Sequence, residues 1–233
     1  MNVIYWAGDS TVQFNNIYTY PQTGIGQEMC RYLKKDIRVE NHAKNGRSTK
    51  SFLDEGRFDT ISRSLSEGDF LFIQFGHNDE KAEDPSRYTE PLGAYYDNLK
   101  FMADAALSAG AHPVLITPLE RRKFREGKLD TQAHAPYVQA MKKLAEDTGT
   151  ALIDLNAMSR RALEEAGEEK SLEWYMHVPA GVYDAFPDGK EDDTHLKHEG
   201  AVFYAGLIAD ALKELGGIYA LLLAEPDQNT EIL

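Results

Sequence analysis

Cysteine is almost absent from this 233-residue chain, in which Cys30 is the only one. A single cysteine excludes an internal disulfide, so the fold does not need an oxidising compartment. Cys30 lies within the helical-looking stretch GQEMCRYLKK. We therefore predict that it serves as a small buried hydrophobic residue.

Positive charge is also scarce. The chain has 25 basic and 38 acidic residues, which gives a formal net charge of −13. This balance argues against nucleic acid and anionic membrane surfaces as general partners, and a polyanionic ligand would need a local basic patch. The contents of 42% hydrophobic and 27% charged residues are typical of an ordinary globular protein.

Long hydrophobic runs are missing. No segment approaches the roughly 20 apolar residues of a membrane-spanning helix. The first residues read as a strand rather than as a basic leader followed by an apolar segment. We expect a cytoplasmic protein that does not enter a membrane.

Internal repeats, low-complexity segments and flexible linkers are absent too. The sequence therefore predicts one domain over residues 1–233. Its polar C-terminal end favours either a loosely packed tail over 217–233 or a role of that segment in self-association. A homo-oligomer therefore stays open.

Strand-like and helix-like segments alternate along the chain. Three of the five short apolar runs are nearly continuous, as in strands covered on both faces. Between them, apolar residues recur at helical spacing, as they do again in 201–215 near the C-terminus. This alternation predicts an α/β fold with a parallel sheet. The predicted strands are 3–7, 37–43, 69–75, 112–118 and 150–155, and the predicted helices include 91–109 and a segment that starts at Tyr137.

Polar segments follow four of the predicted strands. Ligands of an open parallel sheet bind beyond the carboxyl ends of its strands. We therefore expect these segments to gather at one edge and to form the functional site. They are GDST after the first strand, KNGRST (44–49), GHND (76–79) and LERRKFR (119–125).

Ser10 is the candidate nucleophile, because it leaves an apolar strand through a glycine and an acid. A serine nucleophile needs a histidine base, and that base needs an acid to hold its tautomer. His195 in EDDTHLKHEG has Asp192 three residues before it, with Asp193 as a rival. The alternatives are that Ser10 caps a helix or that Ser48 is the nucleophile. Ser48, however, lacks the G-x-S-x-G frame of a nucleophile elbow.

Attack on an ester also requires donors for the developing oxyanion. Gly46 offers an unobstructed backbone N–H, Asn78 offers a side-chain amide, and the N–H of Ser10 is expected at a helix start. As alternatives, Gly46 is a turn glycine and Asn78 a loop-capping amide. The reaction class that suits this set is acyl transfer to serine and then to water.

Four motifs in order carry a family resemblance: the serine of GDST, the glycine of KNGRST, the asparagine of GHND and the DxxH of DDTH. With them the chain resembles the SGNH, or GDSL, hydrolases from residue 3 to about residue 215. The resemblance implies a flavodoxin-like three-layer α/β/α sandwich with a central parallel five-stranded sheet. It also implies a catalytic triad and an oxyanion hole. The triad comprises Ser10, Asp192 and His195, and the oxyanion hole comprises Ser10, Gly46 and Asn78.

Within this superfamily, GDST, GHND and TPLERRKF are most similar to rhamnogalacturonan acetylesterases. That group removes acetyl groups from the galacturonic acid residues of pectin. The resemblance therefore implies an acetylated, uronate-containing oligosaccharide as substrate, cleaved through an acetyl-enzyme. The alternatives are an acetylesterase acting on xylan or other glycans, a lipase or thioesterase, and a sugar-binding module without activity.

Candidate substrate contacts come from the basic segment after the fourth strand and from GHND. Arg121 and Arg122 suit the binding of uronate carboxylates, and the alternative is a solvated loop. His77 contacts substrate or closes a loop. Aromatic platforms for sugars include Trp174 or Tyr175, whereas Trp6 belongs to the core. A metal pair of His195 and His198 lacks a third ligand segment, so we expect neither a metal nor another cofactor.

Overall fold

The computed structural model describes residues 2–130 and 134–225. Its centre is a parallel five-stranded sheet in the order β2-β1-β3-β4-β7. This confirms the predicted α/β class and its sheet. The strands are β1 (Val3–Gly8), β2 (Arg38–Asn41), β3 (Phe70–Gln74), β4 (His112–Ile116) and β7 (Ala151–Ile153), and β5 (Phe124–Arg125) with β6 (Lys128–Leu129) forms a separate antiparallel pair.

Alternation along β1 shows how the sheet separates two cores. Ile4 and Trp6 belong to one hydrophobic cluster, whereas Tyr5 and Ala7 belong to the other. Successive side chains of a strand point to opposite faces, so an apolar run without polar interruption requires cover on both sides. Trp6 is fully buried, as predicted.

Helices cover both faces and complete the α/β/α sandwich. The first core contains apolar residues of α1, α6 and α7, and the second contains those of α2, α3, α4 and α5. The helices are α1 (Ile25–Glu28), α2 (Thr49–Asp54), α3 (Arg57–Ser64), α4 (Tyr96–Ser108), α5 (Ala135–Thr148), α6 (Leu155–Lys170), α7 (His198–Leu215) and α8 (Gly217–Ala220). No helix among the described residues is long and apolar enough to cross a membrane.

Two local expectations need correction. The predicted helix 91–109 divides into a π-helical turn at Pro91–Tyr95 and α4, because Gly93 has a non-helical backbone conformation. Cys30 is exposed rather than buried. The helix around Cys30 ends after one turn and continues as a 3-10 turn over Met29–Arg31, which buries Met29 and leaves its neighbour outside.

The C-terminal segment packs on the body of the protein as far as the structure describes it. Leu222 is buried in the first core. Its carbonyl accepts a hydrogen bond from Lys34 N–H (3.0 Å), and Ala224 N–H donates to the Tyr32 carbonyl (2.9 Å). Residues 217–225 are therefore not a loose tail, and 226–233 lie outside the described residues.

Candidate active site

Ser10 sits in a tight turn directly beyond β1. The Asp9 carboxylate holds this turn, because its Oδ1 accepts hydrogen bonds from Thr11 N–H (2.9 Å) and Thr11 Oγ1 (2.8 Å). The Asp9 carbonyl accepts from the N–H groups of Val12 and Gln13. The chain then continues without a helix until Ile17, so the predicted helix start at Ser10 is wrong. The side chain of Asp9 organises this turn in place of a helix.

Three of the predicted residues form one hydrogen-bonded chain. His195 Nε2 lies 3.0 Å from Ser10 Oγ, and His195 Nδ1 lies 2.7 Å from Asp192 Oδ2. The other oxygen of Asp192 accepts the N–H groups of Thr194 (2.8 Å) and His195 (2.9 Å). Asp192 thus fixes both the local turn and the imidazole ring.

The surroundings of Asp192 stabilise its ionised form. Burial, the largest single influence, raises the pKa of this carboxyl. Hydrogen bonds and charge from His195, together with the N–H of Thr194, nevertheless hold the pKa well below its usual range. Lys190 Nζ adds a cation 3.0 Å from Asp192 Oδ2. Asp192 therefore stays ionised and can stabilise a positive charge on the histidine.

The rival residues have other partners. Asp193 pairs with Arg122 (2.8 Å) and with His177 (2.7 Å). Ser48 is the N-cap of α2 and shares a capping box with Ser51. His198 faces Glu28 (3.3 Å) at the start of α7 rather than joining His195. Within the described ranges, no group of three or more His, Cys, Asp or Glu side chains could hold a metal ion.

Two backbone N–H groups are available as oxyanion donors. Those of Ser10 and Gly46 donate to no other group among the described residues. Gly46 has φ of +76°, a left-handed conformation that favours glycine. Gly46 and Ser10 line the same cavity.

Asn78 is held in one orientation. Its Nδ2 donates to the Arg47 carbonyl (3.1 Å), and its Oδ1 accepts from Arg87 Nη1 (3.4 Å). Arg87 is itself fixed by Asp84, whose Oδ2 lies 2.6 Å from Arg87 Nε. The second amide N–H has no partner among the described residues, and Asn78 lines the cavity that contains Ser10, so this N–H is available to a substrate oxyanion.

Asp79, next to Asn78, ties the loop after β3 to Thr49 and Thr89. Its fully buried Oδ1 accepts from Thr49 N–H (3.0 Å), Thr49 Oγ1 (2.6 Å) and Thr89 Oγ1 (2.8 Å). Oδ2 has no hydrogen-bond partner among the described residues. Burial raises the pKa of Asp79 to about 7 despite these hydrogen bonds.

Replacement of Asp79 by asparagine will change how stability depends on pH. Between pH 4 and 7 the unfolded carboxyl ionises while the buried one keeps its proton, so the wild type loses stability as the pH rises. We expect this loss to reach roughly 1 kcal/mol per pH unit and to be absent from Asp79→Asn. Urea unfolding of both proteins at pH 5 and pH 7 measures it. Equal pH dependence would contradict the assignment.

The control for this experiment is Asp147→Asn. Hydrogen bonds from Lys143 lower the pKa of the exposed Asp147. This carboxyl is therefore ionised in both the folded and the unfolded state between pH 5 and pH 7, so its replacement should leave the pH dependence over that range as in the wild type.

A cavity of about 530 Å³ contains the site. Apart from Gly46, its lining residues carry polar or charged side chains, and three of these are cationic, from Lys81, Arg87 and Arg121. A small acyl group fits this wall, whereas a long acyl chain would need an apolar groove. The remaining lining residues are Ser10, Asn45, Gly46, His77, Asn78, Asp192, Thr194 and His195.

The two predicted arginines separate. Arg121 lines the cavity and pairs with Glu80 (2.7 Å). Arg122 is buried, where it binds Asp193 (2.8 Å), Ser171 Oγ (3.0 Å) and the Glu168 carbonyl. The predicted substrate contact by Arg122 is therefore wrong, because these partners take its guanidinium away from the cavity.

His77 lines the same cavity but is almost fully covered. Burial lowers its pKa well below the usual value, and the nearby charges of His134 and Arg121 add to this effect. The neutral ring accepts from Arg121 Nε at Nδ1 (3.5 Å), while the His77 carbonyl accepts from Arg121 Nη2 (3.4 Å). His77 thus supports the position of Arg121.

The predicted aromatic platforms lie elsewhere. Tyr175 is fully buried, and its hydroxyl donates to the Glu120 carbonyl (2.8 Å). Trp174 stacks on Phe203 of α7, with ring centroids 4.4 Å apart. Neither residue lines the catalytic cavity.

Sequence reasoning missed four residues of the cavity wall. Lys81 follows GHND by two positions, so its proximity to Asn78 was a usable signal. Asn45 lies inside KNGRST, next to the glycine that carried the prediction, whereas Arg87 comes from a loop without a recognisable motif. Thr194 lies inside the DxxH motif, in which the sequence predicts roles only for Asp192 and His195.

Comparisons with known proteins identify the family of this chain. The profile of the GDSL-like lipase/acylhydrolase family matches residues 7–202. The rhamnogalacturonan acetylesterase RhgT of Bacillus subtilis (strain 168) is 38% identical over 213 residues, which cover 91% of this chain and 90% of the relative.

Solved structures show the same fold. The crystal structure of protein YxiM from Bacillus subtilis has a TM-score of 0.78 at 28% identity and covers 92% of this chain, which in turn spans 57% of YxiM. The acetylxylan esterase Axe2 from Geobacillus stearothermophilus has a TM-score of 0.61 at 18% identity, with 94% of this chain and 95% of Axe2 covered. The likeness to Axe2 is one of fold.

Proposed function

Because this chain belongs to the GDSL-like lipase/acylhydrolase family, we propose that it removes acetyl groups from pectic, rhamnogalacturonan-type oligosaccharides with Ser10 as its nucleophile. It is a carboxylic ester hydrolase. The observation that carries the proposal is the hydrogen-bonded chain from Ser10 through His195 to Asp192 at a cavity lined by polar and cationic side chains.

In the first half-reaction, Ser10 Oγ attacks the acetyl carbonyl while His195 Nε2 takes its proton. The N–H groups of Ser10 and Gly46 and the amide of Asn78 stabilise the oxyanion of the tetrahedral intermediate. Collapse breaks the ester bond, and His195 returns the proton to the departing sugar hydroxyl. The acetyl group then remains on Ser10.

In the second half-reaction, a water molecule attacks the acetyl-enzyme and gives its proton to His195. A second tetrahedral intermediate collapses, acetate leaves, and the proton returns to Ser10 Oγ. Asp192 stays ionised and keeps the Nδ1 proton of the ring facing it, so Nε2 is free to act on Ser10 and on water.

The choice of a pectic substrate rests on two observations. RhgT, a rhamnogalacturonan acetylesterase by name, is 38% identical to this chain. Three cationic side chains line the catalytic cavity of a chain with net charge −13, which suits an anionic sugar. The polar wall argues against a lipase or thioesterase, and the assembled triad argues against a binding module.

Acetate release tests the substrate. We expect the purified protein to release acetate from acetylated rhamnogalacturonan oligosaccharides with a kcat/KM at least tenfold above that for acetylated xylan oligosaccharides. Binding energy from the uronate carboxylates at the cationic wall accounts for this preference. Preference for xylan would keep the esterase and remove the pectin assignment.

Three sequence predictions stay predictions: a single domain over residues 1–233, a cytoplasmic location and the open question of self-association. They concern the compartment in which the enzyme works and the length of the oligosaccharides that it meets there. They do not alter the chemistry proposed at Ser10.

A further inference from the structure

We propose that a second cavity beside the catalytic one is a subsite for a further uronate sugar of the same oligosaccharide, whose carboxylate binds between Lys81 and Arg121. This inference rests on the proposed function, because it deepens the choice of substrate. The second cavity has a volume of about 360 Å³ and is lined by Glu80, Lys81, Glu83, Arg121 and Lys123.

The two cavities meet at a shared pair of cations. Lys81 and Arg121 line both of them, and no other residue does so. An oligosaccharide that places its acetyl ester at Ser10 can therefore extend past this pair into the second cavity. A ligand passing this junction is within reach of both cations.

Lys81 is the cation best placed to bind a ligand carboxylate. It is half-buried, and no carboxylate of the described residues lies within ion-pair distance of its Nζ. Arg121, by contrast, already pairs with Glu80, which also pairs with His134 (2.8 Å). An unpaired cation in a partly dehydrated position gains most from an incoming anion.

The acidic residues of the second cavity define where an anion can sit. Glu80 is engaged by Arg121 and His134, so its charge is largely balanced. Glu83 is exposed and would repel a carboxylate placed next to it. The favourable position for a ligand carboxylate is therefore at the junction, on the Lys81 side.

Backbone hydrogen bonds hold Lys81 at a set place relative to the oxyanion hole. Lys81 N–H donates to the Asn78 carbonyl (3.3 Å), and Asp84 N–H donates to the Lys81 carbonyl (2.9 Å). The same short turn thus carries the Asn78 amide for the acetyl group and the Lys81 ammonium for the uronate. This links the position of the scissile ester to that of the neighbouring carboxylate.

The test is calorimetric binding of trigalacturonate, which carries carboxylates and no acetyl group. We expect Lys81→Gln to raise its Kd at least tenfold and Lys81→Arg to restore most of the affinity. The matched control is Lys35→Gln, an exposed lysine before β2 at the opposite edge of the sheet, which should bind like the wild type. The fully methyl-esterified trisaccharide should bind more weakly than trigalacturonate to the wild type.

Two outcomes overturn the inference: an unchanged Kd in Lys81→Gln, or equal binding of the charged and methyl-esterified ligands to the wild type. Because binding is measured without catalysis, the result is separate from that for acetate release. Lysine-dependent binding without acetate release would overturn the proposed function and support the subsite. Acetate release without lysine-dependent binding would support the proposed function and overturn the subsite.

Discussion

Replacement of Ser10 by alanine will lower kcat for acetyl ester hydrolysis by a factor on the order of 10⁴ to 10⁶. Among the described residues, the hydroxyl of Ser10 is the only group that hydrogen-bonds to His195 Nε2, at 3.0 Å, so its loss removes both the nucleophile and the proton that the base accepts. The residual rate comes from the oxyanion donors. Initial rates on 4-nitrophenyl acetate and on an acetylated oligosaccharide measure the effect.

Ser48→Ala is the matched control for this experiment. Ser48 caps α2 and lies outside the catalytic cavity, so its loss should cost about 1 kcal/mol of stability with little effect on kcat. An organophosphonate should label the wild type and Ser48→Ala but not Ser10→Ala. Activity that survives the loss of Ser10 would overturn the mechanism.

Asp192→Asn will lower kcat by a factor on the order of 10² to 10⁴ while leaving the fold intact. Asparagine can donate a hydrogen bond to Nδ1, which favours the wrong tautomer of His195 and removes the charge that stabilises the imidazolium. Because the pKa of Asp192 is held below its usual range, this carboxylate stays ionised down to acid pH in the wild type. The kcat ratio should therefore remain large across the neutral and mildly acidic range.

The neighbouring Asp193→Asn serves as the control. Its carboxylate binds Arg122 and His177 rather than His195. We expect its loss to lower the free energy of unfolding, because the buried guanidinium of Arg122 is left without a carboxylate to balance its charge, while folded protein keeps most of its kcat. Equal loss of kcat in both variants would show that the DxxH interpretation chose the wrong acid.

Short sequence motifs were enough to predict which residues meet in the candidate triad and oxyanion hole. Asp192 and His195 are three residues apart in a turn, and Ser10 and Asn78 each follow a strand that ends at the same edge of the sheet. Because β1 and β3 are neighbours in the sheet, the loops that follow them lie side by side. Their catalytic roles stay predictions until the variants are measured.

The sequence could not predict which cations face the cavity. Arg122 is turned inward by Ser171 and Asp193, which lie 49 and 71 residues away along the chain. Arg87 reaches Asn78 because Asp79 ties the loop to Thr49 and Thr89. Such long-range contacts leave no periodicity or motif, and the basic segment read alone assigned Arg121 and Arg122 the same role.

The contact between Ser10 and His195 joins residues 185 positions apart in the chain. A hydrogen bond from Thr23 N–H to the Leu196 carbonyl (3.0 Å) joins the segments that follow these two residues. A newly synthesised chain can therefore pair Ser10 with its base only after residue 195 has been made. Because so non-local a contact forms only when distant parts of the sheet have folded together, ester hydrolysis by a newly made chain reports that the fold has assembled as far as residue 195.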